Sequence, residues 1–449
     1  MILKNDLIEL DIIDIGVNGE GIGHHEGYTF FVPLALVGER VIVRVEHISK
    51  TLVFSKLSKI IIKSPKRVDP PCKYYYQCGG CDLMHVNYET QLEYKRSALK
   101  TTLSKMIKSD FLVEPIIPSD LPLHYRNKVQ LPFGTLNGEP ILGFYKANSH
   151  DITPIDDCLL HGPWLKPLIS LTLSYVSENK IPIFQNGKGI LRHLVARYIF
   201  DKLCVTLVSA AKKLPNLDSY YKSLSSLFPD VSLYICINFE NNNVIMGNEV
   251  IHVAGPKQTL EVMGIKVSLN PLSFFQVNDD IREKLYSKVI SLISPSPSIT
   301  VIDAYSGVGL MGAIMAKMGA HIINIDEIPE AIEDANNLYS ANDISSQATN
   351  ICGDCAEVLP SVIPRLDPAC SICLLLDPPR KGLSDKLINT INSLRSTHLN
   401  LKIVYISCNP STLARDIHNL GEENLSFQPY DMFAQTKHVE VLCCLTKKP

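Results

Sequence analysis

From about Leu285 the chain alternates short apolar strands with helical stretches, and each strand delivers a chemically capable residue at its carboxyl end. Residues 300–304, 320–326, 372–376 and 402–407 are the strands. Such an alternation buries its strands only by forming a doubly wound, largely parallel sheet covered by helices on both faces. Ligands bind such sheets in the crevice beyond the carboxyl ends of the strands. The C-terminal third is therefore expected to be an α/β catalytic domain of Rossmann-like type.

Four places in that third carry chemistry. The first, Asp303-Ala304-Tyr305-Ser306-Gly307-Val308-Gly309, is a strand running into a glycine turn and then a helix. Glycines let a backbone approach a ligand, and Asp326 at the next strand end can accept from ribose hydroxyls. A third glycine is missing, which disfavours a dinucleotide pyrophosphate and leaves room for a nucleoside cofactor. Loops of this kind also serve packing alone. Asp354 near the following strand end could accept from an adenine amino group. The second place is Asp377-Pro378-Pro379-Arg380, where two prolines stiffen a loop. It is either a rigid cover over the sheet edge or a holder for a carboxylate that binds a base. The third, Ser407-Cys408-Asn409-Pro410, follows a strand directly. A buried cysteine is ordinarily a small hydrophobe, but at this rim a thiol can be presented as a nucleophile. The fourth is His438-Val439-Glu440 before a last strand at 441–446. Glu440 there is either a general base or a surface carboxylate.

The front of the chain reads differently. Strands at 7–15, 28–32 and 40–48 with intervening glycines imply a small β-barrel over residues 1–62. Residues 50–67 hold six Lys or Arg and no acid, a basic stripe that reads equally as a solvated edge and linker. Residues 88–108 have helical spacing. Strands follow at 126–134 and 141–146 around an Asn137-Gly138 turn, then at 192–199, 203–210 and 231–239.

Cys72, Cys78 and Cys81 lie within ten residues and share a glycine turn. In a chain with no apolar leader and no apolar run of about 18 residues, expected to be cytoplasmic, such clusters point to a metal or catalysis rather than disulfides. This cluster holds only one C-x2-C pair, so a fourth ligand must be distant. Cys158 is the candidate, and four thiolates suit a [4Fe–4S] cluster. A net charge of −3 excludes a protein that coats nucleic acid indiscriminately but leaves room for a local basic face.

Taken in order, these motifs resemble one family, the RNA uracil-C5 methyltransferases acting on 23S ribosomal RNA or the tRNA T-loop. Residues 1–62 look like its TRAM barrel, an OB-like RNA-binding module. CKYYYQCGGC with Cys158 is similar to the iron–sulfur ligand set of its ribosomal members. NPLSFFQVN at 270–278, DAYSGVG, LLDPPRKG, SCNPSTLARD at 407–416 and HVE resemble its catalytic domain. The resemblance implies three regions: the barrel at 1–62, an α+β iron–sulfur region at 63–270, and a methyltransferase domain at 271–449. The helix at 88–108 is expected to pack on the last of these. It further implies S-adenosyl-L-methionine and a [4Fe–4S] cluster as cofactors. Gln276, Tyr305, Asp326, Asp354 and Asp377 would line the cofactor and base pocket, with Cys408 as nucleophile and Glu440 as proton-abstracting base. Cys72, Cys78, Cys81 and Cys158 would hold the cluster. The partner would be structured RNA, 23S rRNA ahead of tRNA, and the protein a monomer away from membranes. Leu310 departs from the asparagine some relatives carry there.

Two rivals compete with this reading. An amino-group methyltransferase expects an aromatic residue where Arg380 stands and has no need of Cys408. A non-catalytic iron–sulfur RNA-binding protein gives no reason for Cys408 and Glu440 to stand at strand ends.

Overall fold

The computed structural model describes residues 2–273, 275–366, 371–397, 401–421 and 425–445. Phe274 of the NPLSFFQVN segment and Thr446 of the last expected strand lie outside them.

The catalytic sheet is built from β1 (Ile299–Ala304), β2 (His321–Asp326), β3 (Ala348–Cys352), β4 (Ser371–Leu376), β5 (Leu401–Ser407), β6 (Leu425–Tyr430) and β7 (Glu440–Leu445). Their spatial order is β3-β2-β1-β4-β5-β7-β6. β1 to β5 are parallel, and β7 enters antiparallel between β5 and β6. β1, β4 and β5 are buried almost throughout, which is why they read as unbroken apolar runs. Separate apolar cores cover the two faces, one centred on Leu374, Ile403 and Phe427, the other on Val301, Leu375 and Val404.

Two distant segments join this domain. The helix Tyr88–Ser104, capped by Asn87 accepting from the Thr90 N–H, buries Leu99 and Leu103 in the first core. The strand Phe111–Val113 then pairs in parallel with β6 and lengthens the sheet to eight strands. The hairpin Thr259–Val262/Ile265–Ser268 buries Leu260, Val262, Ile265 and Val267 in the second core.

A seven-stranded sheet occupies the middle of the chain. Lys128–Leu136 and Glu139–Tyr145 form its hairpin around Asn137 and Gly138, both left-handed at φ 54° and 87° as a tight hairpin turn demands. The helices Leu165–Glu178 and Leu217–Leu227 pack on it through Leu168, Ile169, Tyr220 and Leu224.

The N-terminal six strands curl into one sheet around Phe30, Val32, Val41, Val43, Val45 and Val53. Gly23 backs onto the carbonyl of Asp11, which a Cβ would approach to 2.8 Å, so the curl depends on glycine there. The basic stretch read as an edge and linker is largely the strand Leu52–Ile62. Its lysines hid an alternation in which Val53 and Ser55 point inward while Phe54 and Lys56 point out. Among the described residues no helix is long and apolar enough to cross a membrane.

Candidate active site

One cleft of about 690 Å³ opens beyond the carboxyl ends of β1, β2, β4 and β5. Gln276, Tyr305, Asp326 and Asp354 line it together with Asp377, Cys408 and Glu440. All seven pocket residues singled out in the sequence therefore converge on a single cavity.

On one side stands the glycine loop. Tyr305, Gly307 and Gly309 are all left-handed, with φ of 67°, 54° and 73°. Tyr305 lacks glycine's freedom, so the turn holds a non-glycine residue in a sparsely populated conformation, as functional loops often do. The N–H groups of Tyr305 and Ser306 both donate to the Ile325 carbonyl, at 3.0 and 3.1 Å. Asp326 accepts from Gly307 N–H at 2.9 Å and from Ile328 N–H at 3.0 Å, tying the loop to the end of β2. Asp354 caps the helix Cys355–Val362 by accepting from Ala356 N–H at 2.7 Å. A Cβ on Gly307 would meet open space, so the loop's backbone faces the cavity with room for a ligand. Leu310, the departure from the expected pattern, is buried at the start of the next helix and forms part of the cavity wall.

The cavity also holds three buried or enclosed carboxyls and a thiol. Burial pushes Asp303 up to about 8, with the Asp377 and Asp326 charges adding to it. Burial likewise raises Asp377 to about 7. Glu440, 2% exposed, is held well above the usual carboxylate range by burial and by Asp377, against the pull of Arg380. The Cys408 thiol is raised by burial and then by the Glu440 charge, while the Arg380 guanidinium acts to lower it. A pocket that keeps carboxyls neutral near neutral pH can donate as well as accept hydrogen bonds.

The loop carrying Asp377 and Arg380 is clamped by the helix Pro410–Leu420. Asn409 donates from Nδ2 to the Arg380 carbonyl at 3.0 Å, and Thr412 Oγ1 donates to the same oxygen at 3.3 Å. Arg415 donates to the carbonyls of Lys381 and Leu383, both at 3.0 Å. Asp416 is fully buried and accepts from Leu383 N–H at 2.8 Å, Tyr405 OH at 2.6 Å and Arg415 Nη2 at 2.6 Å. Gly382 sits against it at φ 74°, where a Cβ would come within 2.4 Å of Asp416 Oδ2. The polar residues of SCNPSTLARD thus position the Asp377 loop. Sequence reasoning missed that role, although positions 409, 412, 415 and 416 fall on one helical face and could have signalled it.

A second brace holds the approach to Glu440. Lys95 and Asp431 form a buried ion pair at 2.5 Å, joined by Tyr88 OH donating to Asp431 at 2.7 Å. The Asp82 and Leu83 N–H groups both donate to the Gln435 carbonyl at 3.0 Å. The cysteine segment therefore touches the loop that leads into β7.

Cys72, Cys78, Cys81 and Cys158 are all free thiols, and each of them is an electrostatic neighbour of others in the set. Cys72, Cys81 and Cys158 pack against Tyr75, Met84 and Leu160, and Gly80 N–H donates to Cys78 Sγ at 3.4 Å. Among the described residues no group of three or more His, Cys, Asp or Glu side chains is placed to hold a single metal ion.

Residues 365–448 match the family model for tRNA (uracil-5-)-methyltransferases, and residues 4–57 match the TRAM domain. An uncharacterized RNA methyltransferase of Caldanaerobacter subterraneus is 35% identical over 442 residues, covering 96% of each chain. One from Clostridium tetani is 34% identical over 99% of this chain and 97% of its own. The chain belongs to the RNA uracil-C5 methyltransferase family. Among solved structures, this methyltransferase is similar to the Pyrococcus abyssi tRNA (uracil-54, C5)-methyltransferase in complex with S-adenosyl-L-homocysteine. That likeness has a TM-score of 0.78 at 27% identity and covers 98% of this chain and 100% of the other.

Proposed function

We propose that this methyltransferase places a methyl group on C5 of a uridine in structured RNA, with 23S rRNA as its substrate, through a covalent adduct between Cys408 and uracil C6. The observation that carries the reading is the placement of Cys408 and Glu440 side by side in the cleft, at the ends of β5 and β7. Uracil C5 is a poor nucleophile until a thiolate adds to C6, so a thiol and a base must share one face of the ring.

In this scheme Arg380 supports the Cys408 thiolate, which attacks C6, so that the C5–C6 double bond opens and its electrons form an enolate over C5, C4 and O4. Asp377, held by the clamped loop, hydrogen-bonds the uracil and steadies the charge on its carbonyl side. The C5 carbon then takes a methyl group. Glu440 removes the proton left on C5, the C5–C6 double bond re-forms, and Cys408 departs as thiolate. The base must leave its stack to reach the cleft, which costs a few kcal/mol and favours loop targets.

S-adenosyl-L-methionine, when bound, supplies an electrophilic methyl group. The cleft fits it: the glycine loop offers backbone contact, and Asp326 and Asp354 stand where ribose and adenine would be held, with Gln276 and Tyr305 completing the wall. The four thiols Cys72, Cys78, Cys81 and Cys158 suit a [4Fe–4S] cluster by number and donor chemistry, with an N–H bond to Cys78 of the kind such sulfurs accept. That cluster would fix the segment braced against Gln435.

Transfer RNA is the second reading. The Pyrococcus abyssi neighbour acts on uracil-54 of tRNA, which favours it. The cysteine set favours ribosomal RNA. Mass mapping of 5-methyluridine in ribosomal and transfer RNA from a deletion strain decides between them, since the modification must vanish from the true substrate. Its persistence in both would refute the assignment.

A further inference from the structure

Outside the cleft, the N-terminal sheet carries a row of three rings on its outer face. Phe31, Phe54 and His47 occupy adjacent strands, with Phe31 directly opposite Phe54 and Phe54 directly opposite His47. Phe31 and Phe54 stack at 5.5 Å and 18°, and His47 and Phe54 at 6.1 Å and 28°. Phe54 is 45% exposed and His47 is also exposed, so the stack is not part of the core. Ser55 Oγ donates to the Phe31 carbonyl at 3.1 Å and ties the strands beneath the rings.

One step further along the same face, Arg44 stands directly opposite Lys56. Like charges placed directly across two strands repel, and both side chains are exposed. Among the described residues neither has a side-chain ion-pair or hydrogen-bond partner. The two strands and their turn, residues 40–62, hold Arg40, Arg44, Lys50, Lys56 and Lys59 against the single acid Glu46. Arg40 is engaged by Asp11, and the other four remain to face solvent.

We propose that Phe31, Phe54 and His47 form a stacking platform for bases of single-stranded RNA, with Arg44 and Lys56 gripping the phosphates beside them. Stacked aromatic rings flanked by cations are how proteins hold single strands without reading sequence. A base joining the stack extends it, and a polyanion removes the Arg44–Lys56 repulsion. This rests on the reading of RNA as substrate and adds a second contact, remote from the reacting uridine, with the strand that flanks it.

The test is fluorescence anisotropy of the full-length protein with a nine-nucleotide unstructured oligoribonucleotide and with a matching oligomer of abasic residues. The wild type should bind the base-bearing strand more tightly. Phe54→Ala should weaken that strand by about tenfold, with little effect on the abasic one. Phe54→Trp should restore affinity, which also guards against a folding defect in the alanine variant. Lys56→Ala should instead lower the slope of log affinity against log salt by about one. In turnover assays Phe54→Ala should raise KM for RNA while leaving kcat and cofactor affinity unchanged. Equal wild-type affinity for the two oligomers, or unchanged affinity in Phe54→Ala, overturns the platform. Methyl transfer surviving in Cys408→Ala would defeat the proposed chemistry and leave the stacking result standing.

Discussion

Cys408 and Glu440 face one another one residue beyond the last ladder pair of β5 and β7, Ser407 opposite Val441. Directly opposed residues of antiparallel strands project to the same face, with Cβ atoms roughly 5 Å apart. The antiparallel entry of β7 therefore sets thiol and carboxyl side by side, although 32 positions separate them in sequence. In the proposed chemistry attack and methyl transfer precede proton removal. Glu440→Gln should then accumulate a methylated RNA–protein adduct and slow product release by at least about a hundredfold. Gel shift of the adduct in single turnover measures this, and normal release would remove Glu440 from the role of base.

The clamp on the Asp377 loop makes Asp416 a structural and a functional residue. Asp416→Ala strands the Leu383 N–H and the Tyr405 hydroxyl in a buried site and leaves Arg415 without its carboxylate. The expected loss is about 3 kcal/mol of stability, read from urea unfolding. Activity should fall further than stability alone explains, because Asp377 and Arg380 lose their support. Wild-type turnover in a destabilised but folded variant would separate the clamp from the chemistry.

The carboxyls in the cleft make stability depend on pH in a definite direction. Asp303 is raised to about 8 in the fold and has a value near 3.8 when unfolded. Between those limits the unfolded chain has shed a proton that the folded chain keeps. Stability contributed at this site is fully present below about 3.8 and declines as pH rises toward 8. Asp377, at about 7, acts in the same sense. Asp303→Asn should flatten the fall in urea midpoint between pH 5 and pH 8; an unchanged slope would contradict the assignment.

Much of this architecture is legible in the sequence, because parallel strands buried on both faces read as apolar runs. β3 was read only as the strand ending before Asp354, since its residues are half-buried or exposed, and β6 escaped notice because Gln428 and Pro429 interrupt its pattern. Phe111–Val113 is three residues long and owes its pairing to a partner more than three hundred residues away. Six of the seven pocket residues were legible because they stand at or just beyond strand ends, whereas Gln276 lies in the segment before the helix Asp279–Ile293 and came from the family resemblance alone. The clamp was not, because it depends on how the 377–383 loop folds over a helix that begins well downstream. Asp303 stood within the quoted motif, yet its neutral state follows only from burial beside Asp377 and Asp326.

The cysteine set has its own test. Protein purified without oxygen should be brown and contain about four iron and four sulfide per chain. Cys158→Ser should bleach it if, as proposed, Cys158 supplies the fourth ligand. Colourless wild-type protein with one bound zinc would refute the cluster.

The central claim is covalent catalysis by Cys408. RNA substituted with 5-fluorouridine presents a C5 from which no proton can be removed, so the enzyme should stall after methyl transfer. With S-adenosyl-L-methionine present, the account predicts a denaturation-stable RNA–protein complex whose cross-linked peptide, by mass spectrometry, carries the nucleotide on Cys408. The complex should be absent in Cys408→Ala. Methylation of ordinary RNA with no such complex, or a cross-link on any other residue, would contradict it.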